Sequence, residues 1–215
     1  MLSLHEIMEM LELGGIMMLP LSILAVLALA ILIEKGVVYW RYTRLANDIQ
    51  ALIETYDFAW DALEQKLSPL ADRHYLKRFF SIILSNRRQP VWWIESRAGD
   101  EAKVIETSLS RRIWLLETIV TAAPLMGLVG TIGGMMQSFH LIGANGLVNP
   151  TGVTGGVAEA LIATALGLVI ALAALFGFNF FSKLQSQTLD EMERLGTRLI
   201  DHIRIDQQGN KREAE

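Results

Sequence analysis

The sequence predicts an all-α membrane protein, with three transmembrane helices that carry long helical extensions on the cytoplasmic side. Three observations predict it. Residues 118–182, TIVTAAPLMGLVGTIGGMMQSFHLIGANGLVNPTGVTGGVAEALIATALGLVIALAALFGFNFFS, hold one acidic residue, Glu159, and no Lys or Arg. A water-soluble domain needs charge on its outer faces, so this stretch reads as two spanning helices joined by a short turn. Leu13 to Ile33 is another uncharged run, 21 residues long. Elsewhere apolar residues recur at helical spacing among charged ones.

Composition narrows the classes. With 52% hydrophobic and 20% charged residues, lipid-embedded segments must share the chain with a sizeable aqueous part. A formal net charge of −4 argues against a nucleic-acid surface, because phosphate binding wants a basic stripe. The chain has no cysteine, and His5, His74, His140 and His202 are scattered without ligand spacing. No metal and no other cofactor is expected.

Residues 1–12 place Leu4, Ile7, Met8 and Leu11 opposite Glu6, Glu9 and Glu12. This reads as an amphipathic segment on the membrane surface or, equally, as a solvated helix start. The lack of a positive N-terminal region argues that the first apolar run is not a cleaved leader. Residues 13–35 form the first span, long enough at about 1.5 Å per residue to cross a core of roughly 30 Å. Pro20 lies near its start, where a missing N–H costs least. Glu34 and Lys35 mark the exit, followed by Tyr39, Trp40, Arg41, Tyr42 and Arg44 as headgroup anchors.

Residues 36–117 are expected to form a helical cytoplasmic domain. Leu45, Ile49, Leu52 and Tyr56 continue the first helix outward. Trp60, Leu63 and Leu67, then Tyr75, Leu76, Phe79, Phe80, Ile83 and Leu84, then Val104, Ile105, Leu109, Ile113 and Leu116, supply further apolar faces. The last of these leads directly into the second span, 118–139. A turn at 140–152, with Asn145-Gly146 and Asn149-Pro150, precedes the third span, 153–182. Residues 183–215 continue that helix, with Leu184, Met192, Leu195, Leu199 and Ile203 near one face. Lys35, Arg41, Arg44, Arg111, Arg112 and Lys183 all fall on one side of the spans. The positive-inside rule makes that side cytoplasmic, with the N-terminus and the turn outside. No grouping of nucleophile, base and cofactor motif converges, so no enzyme is expected.

In the second span Pro124, Gly127, Thr131, Gly134 and Ser138 share a helix face, and in the third Ala160, Ala163, Thr164, Gly167, Ala171 and Ala174 do the same. Gly130 joins Gly127, Gly134, Ala160, Gly167 and Ala171 as candidate packing residues. Small stripes let helices approach closely, and tight packing alone accounts for them. Thr131 and Thr164 have a plain account too, since a threonine in a membrane helix often bonds a carbonyl one turn back. Glu159 fits an interfacial helix start, yet it lies about six residues inside the expected start, where a charge normally faces protein or water. One carboxylate and two hydroxyls on small-residue helices suggest a polar route for a small cation, H⁺ above all.

The run AP-x-x-GL-x-GTIGGMM-x-SF from Ala123 to Phe139, followed by GG-V-AEALIATALGL from Gly155 to Leu168, closely resembles the MotA/TolQ/ExbB proton channel family. The motifs cover about the last third of the chain, and three spans with a cytoplasmic insert match the ExbB/TolQ branch. One departure is that many relatives carry an aromatic residue where Gly133 stands. The resemblance implies a multi-pass protein of the bacterial inner membrane, a pentamer around the helices of an ExbD- or TolR-like partner that brings an essential aspartate. It implies H⁺ as the transported ion, and coupling of the proton motive force to a TonB- or TolA-like protein. Thr131 and Thr164 match the family's pore-facing threonines, and Glu159 the glutamate of its AEAL-x-ATA motif. ExbB-type import across the outer membrane is the first reading. TolQ-type outer-membrane maintenance and a non-conducting scaffold are the alternatives.

Overall fold

The computed structural model describes residues 17–43, 47–55, 58–143 and 150–213. Among these every regular element is an α-helix: α1 (Met18–Tyr42), α2 (Asn47–Glu54), α3 (Trp60–Leu67), α4 (Tyr75–Ser85), α5 (Val91–Ser110), α6 (Ile113–Gly143) and α7 (Pro150–Glu213). The stretches Met18–Tyr42, Val91–Phe139 and Gly152–Gly209 each contain a helix long and apolar enough to cross a membrane. The chain divides into two compact units, Met1–Glu34 with Arg112–Phe180, and Lys35–Arg111 with Phe181–Glu215.

The first unit holds the spans. Pro20 sits in the first turn of α1, where its missing N–H leaves no helical bond broken. The outward faces are apolar: Leu19, Val26, Leu125, Met136, Leu161, Val169 and Phe176 are each more than 60% exposed. Such a surface is stable against lipid or another apolar protein face, and not against water. The inward faces combine Leu21, Ile31, Leu116 and Ile119 with small residues at the closest approaches. At Gly177 an added Cβ would overlap the Leu32 side chain and lie 3.8 Å from Leu116 Cδ1, so this glycine is the notch in which α1 seats against α7. Arg112 forms an ion pair with Glu34 at the end of this unit.

The second unit has its own core, built from Ile49, Ile53, Leu63, Leu67, Leu76, Phe80, Ile83, Ile94, Ile105, Leu109, Met192, Leu195 and Leu199, each at most 3% exposed. Most of these are apolar positions that helical spacing picks out; Ile53 and Ile94 are additions to them, Leu52, Trp60, Tyr75 and Leu84 are only half-buried, and Val104 faces outward. The residues of α7 from Phe181 onward act as its spine. Glu191 pairs with Gln50, Arg194 with Glu54, and Arg204 with Glu95 at 2.5 Å. The Trp60 indole donates to Asp206 at 2.8 Å, and His202 Nε2 lies 3.1 Å from the Ile53 carbonyl. Gly196 is buried because Phe79 fills its place: a Cβ there would lie 2.8 Å from Phe79 Cζ. Leu195→Ala is expected to cost about 2–5 kcal/mol, read as a lower unfolding midpoint of this unit in the detergent-extracted protein. At the surface, hydrogen bonds from Lys66 and Lys77 hold the carboxyls of Asp48 and Asp72 below the usual carboxylate range. What these exposed pairs add is small, present above the ordinary carboxylate pKa and lost as acid protonates them.

Three details differ from the helical pattern read in the sequence. The helix over 104–116 is broken: α5 ends at Ser110 and α6 opens at Ile113, with Arg112 in the left-handed region at φ 68. A positive φ at a non-glycine residue ends the i→i+4 ladder. The first helix stops at Tyr42 and Asn47 opens a separate one; Leu45 and Tyr56, which the pattern adds to a single rod, lie outside the described residues. Lys35 and Tyr39, read as boundary anchors, point into the second unit instead. The Lys35 ammonium donates to the Leu109 carbonyl at 2.7 Å, satisfying the last turn of α5, and the Tyr39 ring stacks on Phe181. The N-terminal segment 1–12 lies outside the described residues. Residues 144–149 of the expected turn also lie outside them, and its two ends are helical instead, since α6 runs to Gly143 and α7 opens at Pro150.

Candidate functional site

The candidate site is the face on which α6 and α7 meet. Two antiparallel helices can bring their backbones into contact only where side chains are missing. Here glycine and alanine are arranged to do so. A Cβ on Gly127 would lie 2.8 Å from Thr164 Cα, and one on Gly167 would lie 2.5 Å from the Ala123 carbonyl oxygen. Toward the turn, Gly130 faces Ala163 at 2.9 Å and Met17 at 3.3 Å, and Gly134 faces Ala160 at 2.9 Å and the Gly156 carbonyl at 3.0 Å. The contacts therefore pair residue 123 with 167, 127 with 164, 130 with 163 and 134 with 160. Ala171 is buried one turn beyond Gly167.

The polar groups sit on this frame. Thr164 Oγ1 donates across the interface to the Gly127 carbonyl at 2.8 Å. Thr131, one turn beyond Gly127, donates to the Leu128 carbonyl of its own helix at 2.7 Å. Ser138, 2% exposed, donates to the Gly134 carbonyl at 2.8 Å. Pro124 has no N–H for the carbonyl four residues back, so α6 carries one unmade helical bond in mid-span. Glu159 is partly exposed, and among the described residues it makes no hydrogen bond or ion pair. It precedes Ala160 and lies about 7.5 Å along the axis from Thr164, at about 1.5 Å per residue. No group of three or more metal-ligating side chains occurs among the described residues.

The frame thus brings Gly127, Gly130, Gly134, Ala160, Thr164 and Gly167 into one interface, with Thr131 beside it and Glu159 nearer the turn. Gly133, by contrast, points into open space, with nothing within 4 Å of an added Cβ. Two further members of the frame are not among the packing residues expected from the sequence. Gly156 fits against the Ser138 side chain, and Gly177 receives Leu32. Gly156 belongs to the GG pair that opens the second motif, inside the expected third span, and Gly177 sits among large apolar residues.

A three-span chain with two threonines on a glycine-built hairpin narrows the comparison. The sequence profile of the MotA/TolQ/ExbB proton channel family matches residues 70–194, a stretch that includes the whole of α6 and the first two thirds of α7. The chain belongs to this family. Several relatives of this chain carry ExbB names. ExbB-like 3 of Synechocystis sp. is 36% identical over 180 residues, covering 80% of this chain and 82% of the relative. ExbB-like 1 of the same organism is 31% identical over 192 residues, covering 86% and 74%. The biopolymer transport protein ExbB of Xanthomonas campestris pv. campestris is 41% identical over 95 residues, 44% of this chain and 38% of that protein. The chain is a membrane protein of the ExbB branch of a transport and channel family.

Proposed function

We propose that this chain is the channel subunit of an inner-membrane energy-transducing complex, in which protons pass between its α6/α7 hairpin and a carboxylate supplied by a partner. One observation carries the reading. In a proton channel family member, the described residues of 118–139 and 153–182 offer hydroxyls, packed glycines and a single carboxylate near the turn, and the first span carries its one acid, Glu34, at its end, so no acid stands at mid-membrane depth. A proton relay needs a titrating group there, and a second protein has to bring it. The partner is an ExbD- or TolR-like protein with a transmembrane aspartate. Five copies of this chain surround its helices, their exposed apolar faces packing on each other and on lipid. The N-terminus faces the periplasm, and the second unit, with the C-terminus, the cytoplasm. The complex drives a TonB-like protein for import across the outer membrane. The ExbB names of the relatives favour this over a TolQ-type role. Thr131 and Thr164 line the pathway, and Glu159 serves access from the outer mouth, being closer to the turn than either.

The scaffold reading draws on one specific observation, that both threonine hydroxyls are bonded within the chain. Uptake measurements separate the two. In a strain lacking its own copy, the wild-type chain is expected to restore energy-dependent uptake through a TonB-dependent receptor. Glu159→Ala is expected to restore it only in part, down several-fold, because access is impaired and the relay is not. Uptake that is independent of the chain, or full with Glu159→Ala at normal expression, argues against these roles.

A further inference from the structure

We infer that Glu117 is the inner-mouth carboxylate of the channel, the group that accepts a proton leaving mid-span and releases it to water at the end of the hairpin opposite the turn. The direction of travel rests on the proposed function; the placement of the carboxylate rests on α6 itself.

The two acids of the hairpin stand at its two ends. Gly134 meets Ala160, so Glu159 lies at about the level of Met135. Glu117 is about 18 residues away along α6, roughly 27 Å at about 1.5 Å per residue, which nearly matches a hydrocarbon core of roughly 30 Å. Between Gly127 and the end at which Arg112 pairs with Glu34, residues 23–33 of α1 and 165–178 of α7 carry no polar side chain, whereas α6 carries Glu117, Thr118 and Thr121. At 3.6 residues per turn, Glu117 and Pro124 fall within about 40° of Thr131 around the helix, and Thr118 points away. Pro124 brings no N–H to the Val120 carbonyl. The Thr121 hydroxyl, bonded to the Thr118 carbonyl at 2.9 Å, keeps its lone pairs. One flank of α6 therefore collects every polar group of the inner half that can face the path.

A carboxylate near a helix start commonly answers the helix dipole or completes an ion pair. Glu117 does neither. It lies beyond the first turn of α6, which holds no acid. It is exposed and makes no hydrogen bond or ion pair among the described residues, while Arg112 is engaged by Glu34. The remaining charge in this unit, among the described residues, is Glu159 at the far end. A charge this close to a span faces protein or water. A mid-span acid at the level of Gly127 stands about 15 Å from Glu117, beyond the reach of one direct transfer, so water has to carry the proton between them. Water in such a place needs two to four polar partners, and the Val120 carbonyl, the Thr121 hydroxyl and the Glu117 carboxylate supply them. The transfer breaks the O–H bond of the mid-span acid and forms one on a Glu117 oxygen by way of that water. Glu117 then returns the proton to bulk water, and no electron moves.

The test measures proton flux and the unfolding midpoint for the complex of this chain with its aspartate-bearing partner in liposomes. Glu117→Gln keeps the shape and removes the titrating group. It is expected to cut flux at least tenfold, with assembly and the unfolding midpoint unchanged. Glu117→Asp is expected to recover most of the flux. Azide, a small weak acid able to enter a wet cavity and carry a proton, is expected to restore flux to the glutamine variant at a concentration that moves neither the wild-type complex nor protein-free vesicles. Wild-type flux through the glutamine variant, or a loss that neither aspartate nor azide reverses, overturns the inference and leaves the proposed function standing, because the wild-type complex still conducts. If Glu117→Gln does not assemble, Glu117→Ala is read in the same way, and failure of both to assemble makes Glu117 a structural residue and overturns the inference too. A wild-type complex without flux overturns both.

Discussion

Gly167→Ala is expected to unseat α7 from α6 and abolish proton flux, although it adds a single methyl group to a helix. The added Cβ would lie 2.5 Å from the Ala123 carbonyl oxygen, 3.3 Å from the Ala123 carbonyl carbon and 3.4 Å from Gly127 Cα. All three are backbone atoms, so no side chain can turn aside and the helices themselves must part. Overpacking of this kind costs about 1–3 kcal/mol. The same displacement lengthens the bond from Thr164 to Gly127, one turn away. Gly133→Ala is the matched control. Nothing lies within 4 Å of its Cβ, and replacing a helical glycine by alanine favours the helix by up to about 1 kcal/mol. Stability in detergent should fall for the first variant and hold or rise for the second.

Thr164→Val is expected to cut proton flux at least tenfold while leaving the protein folded. Valine matches threonine in shape, so packing against Gly127 is kept. What goes is the bond to the Gly127 carbonyl and the lone pairs beside it. Interhelical hydrogen bonds inside membranes average about 0.6 kcal/mol, and the Gly127 carbonyl keeps its helical partner, so the unfolding midpoint should barely move. Flux and stability thus separate for this variant, whereas for Gly167→Ala they fall together. Flux at the wild-type level in a normally assembled Thr164→Val complex would remove Thr164 from the pathway.

Much of this architecture is legible in the sequence, because charge is costly in lipid and its absence over residues 118–182 admits few explanations. The core of the second unit is legible for a similar reason: Leu63, Leu67, Leu76, Ile83 and Leu195 follow the 3.6-residue period and are buried. The glycines are legible as a class. Their individual partners are not, because these depend on the register of two antiparallel helices, which no local pattern encodes. That is why Gly156 and Gly177 are absent from the expected packing residues. It is also why Thr164, read as bonding back within its own helix, bonds across to Gly127, while Thr131 follows the local rule. Lys35 misleads for a different reason. A lysine at the end of an apolar run resembles a headgroup anchor, and only the tertiary structure brings the end of α5 within its reach. The break at Arg112 is silent in composition, since arginine carries no preference for the positive φ it adopts here.

The central claim is that the proton path is shared, with hydroxyls from this chain and a carboxyl from another. Proton flux into liposomes tests it most directly, measured for this chain alone, for the chain with its partner, and for the chain with a partner whose transmembrane aspartate is replaced by asparagine. Flux in the second preparation and in neither of the others is the predicted result. Flux through this chain alone, or undiminished flux with the asparagine partner, would contradict the account.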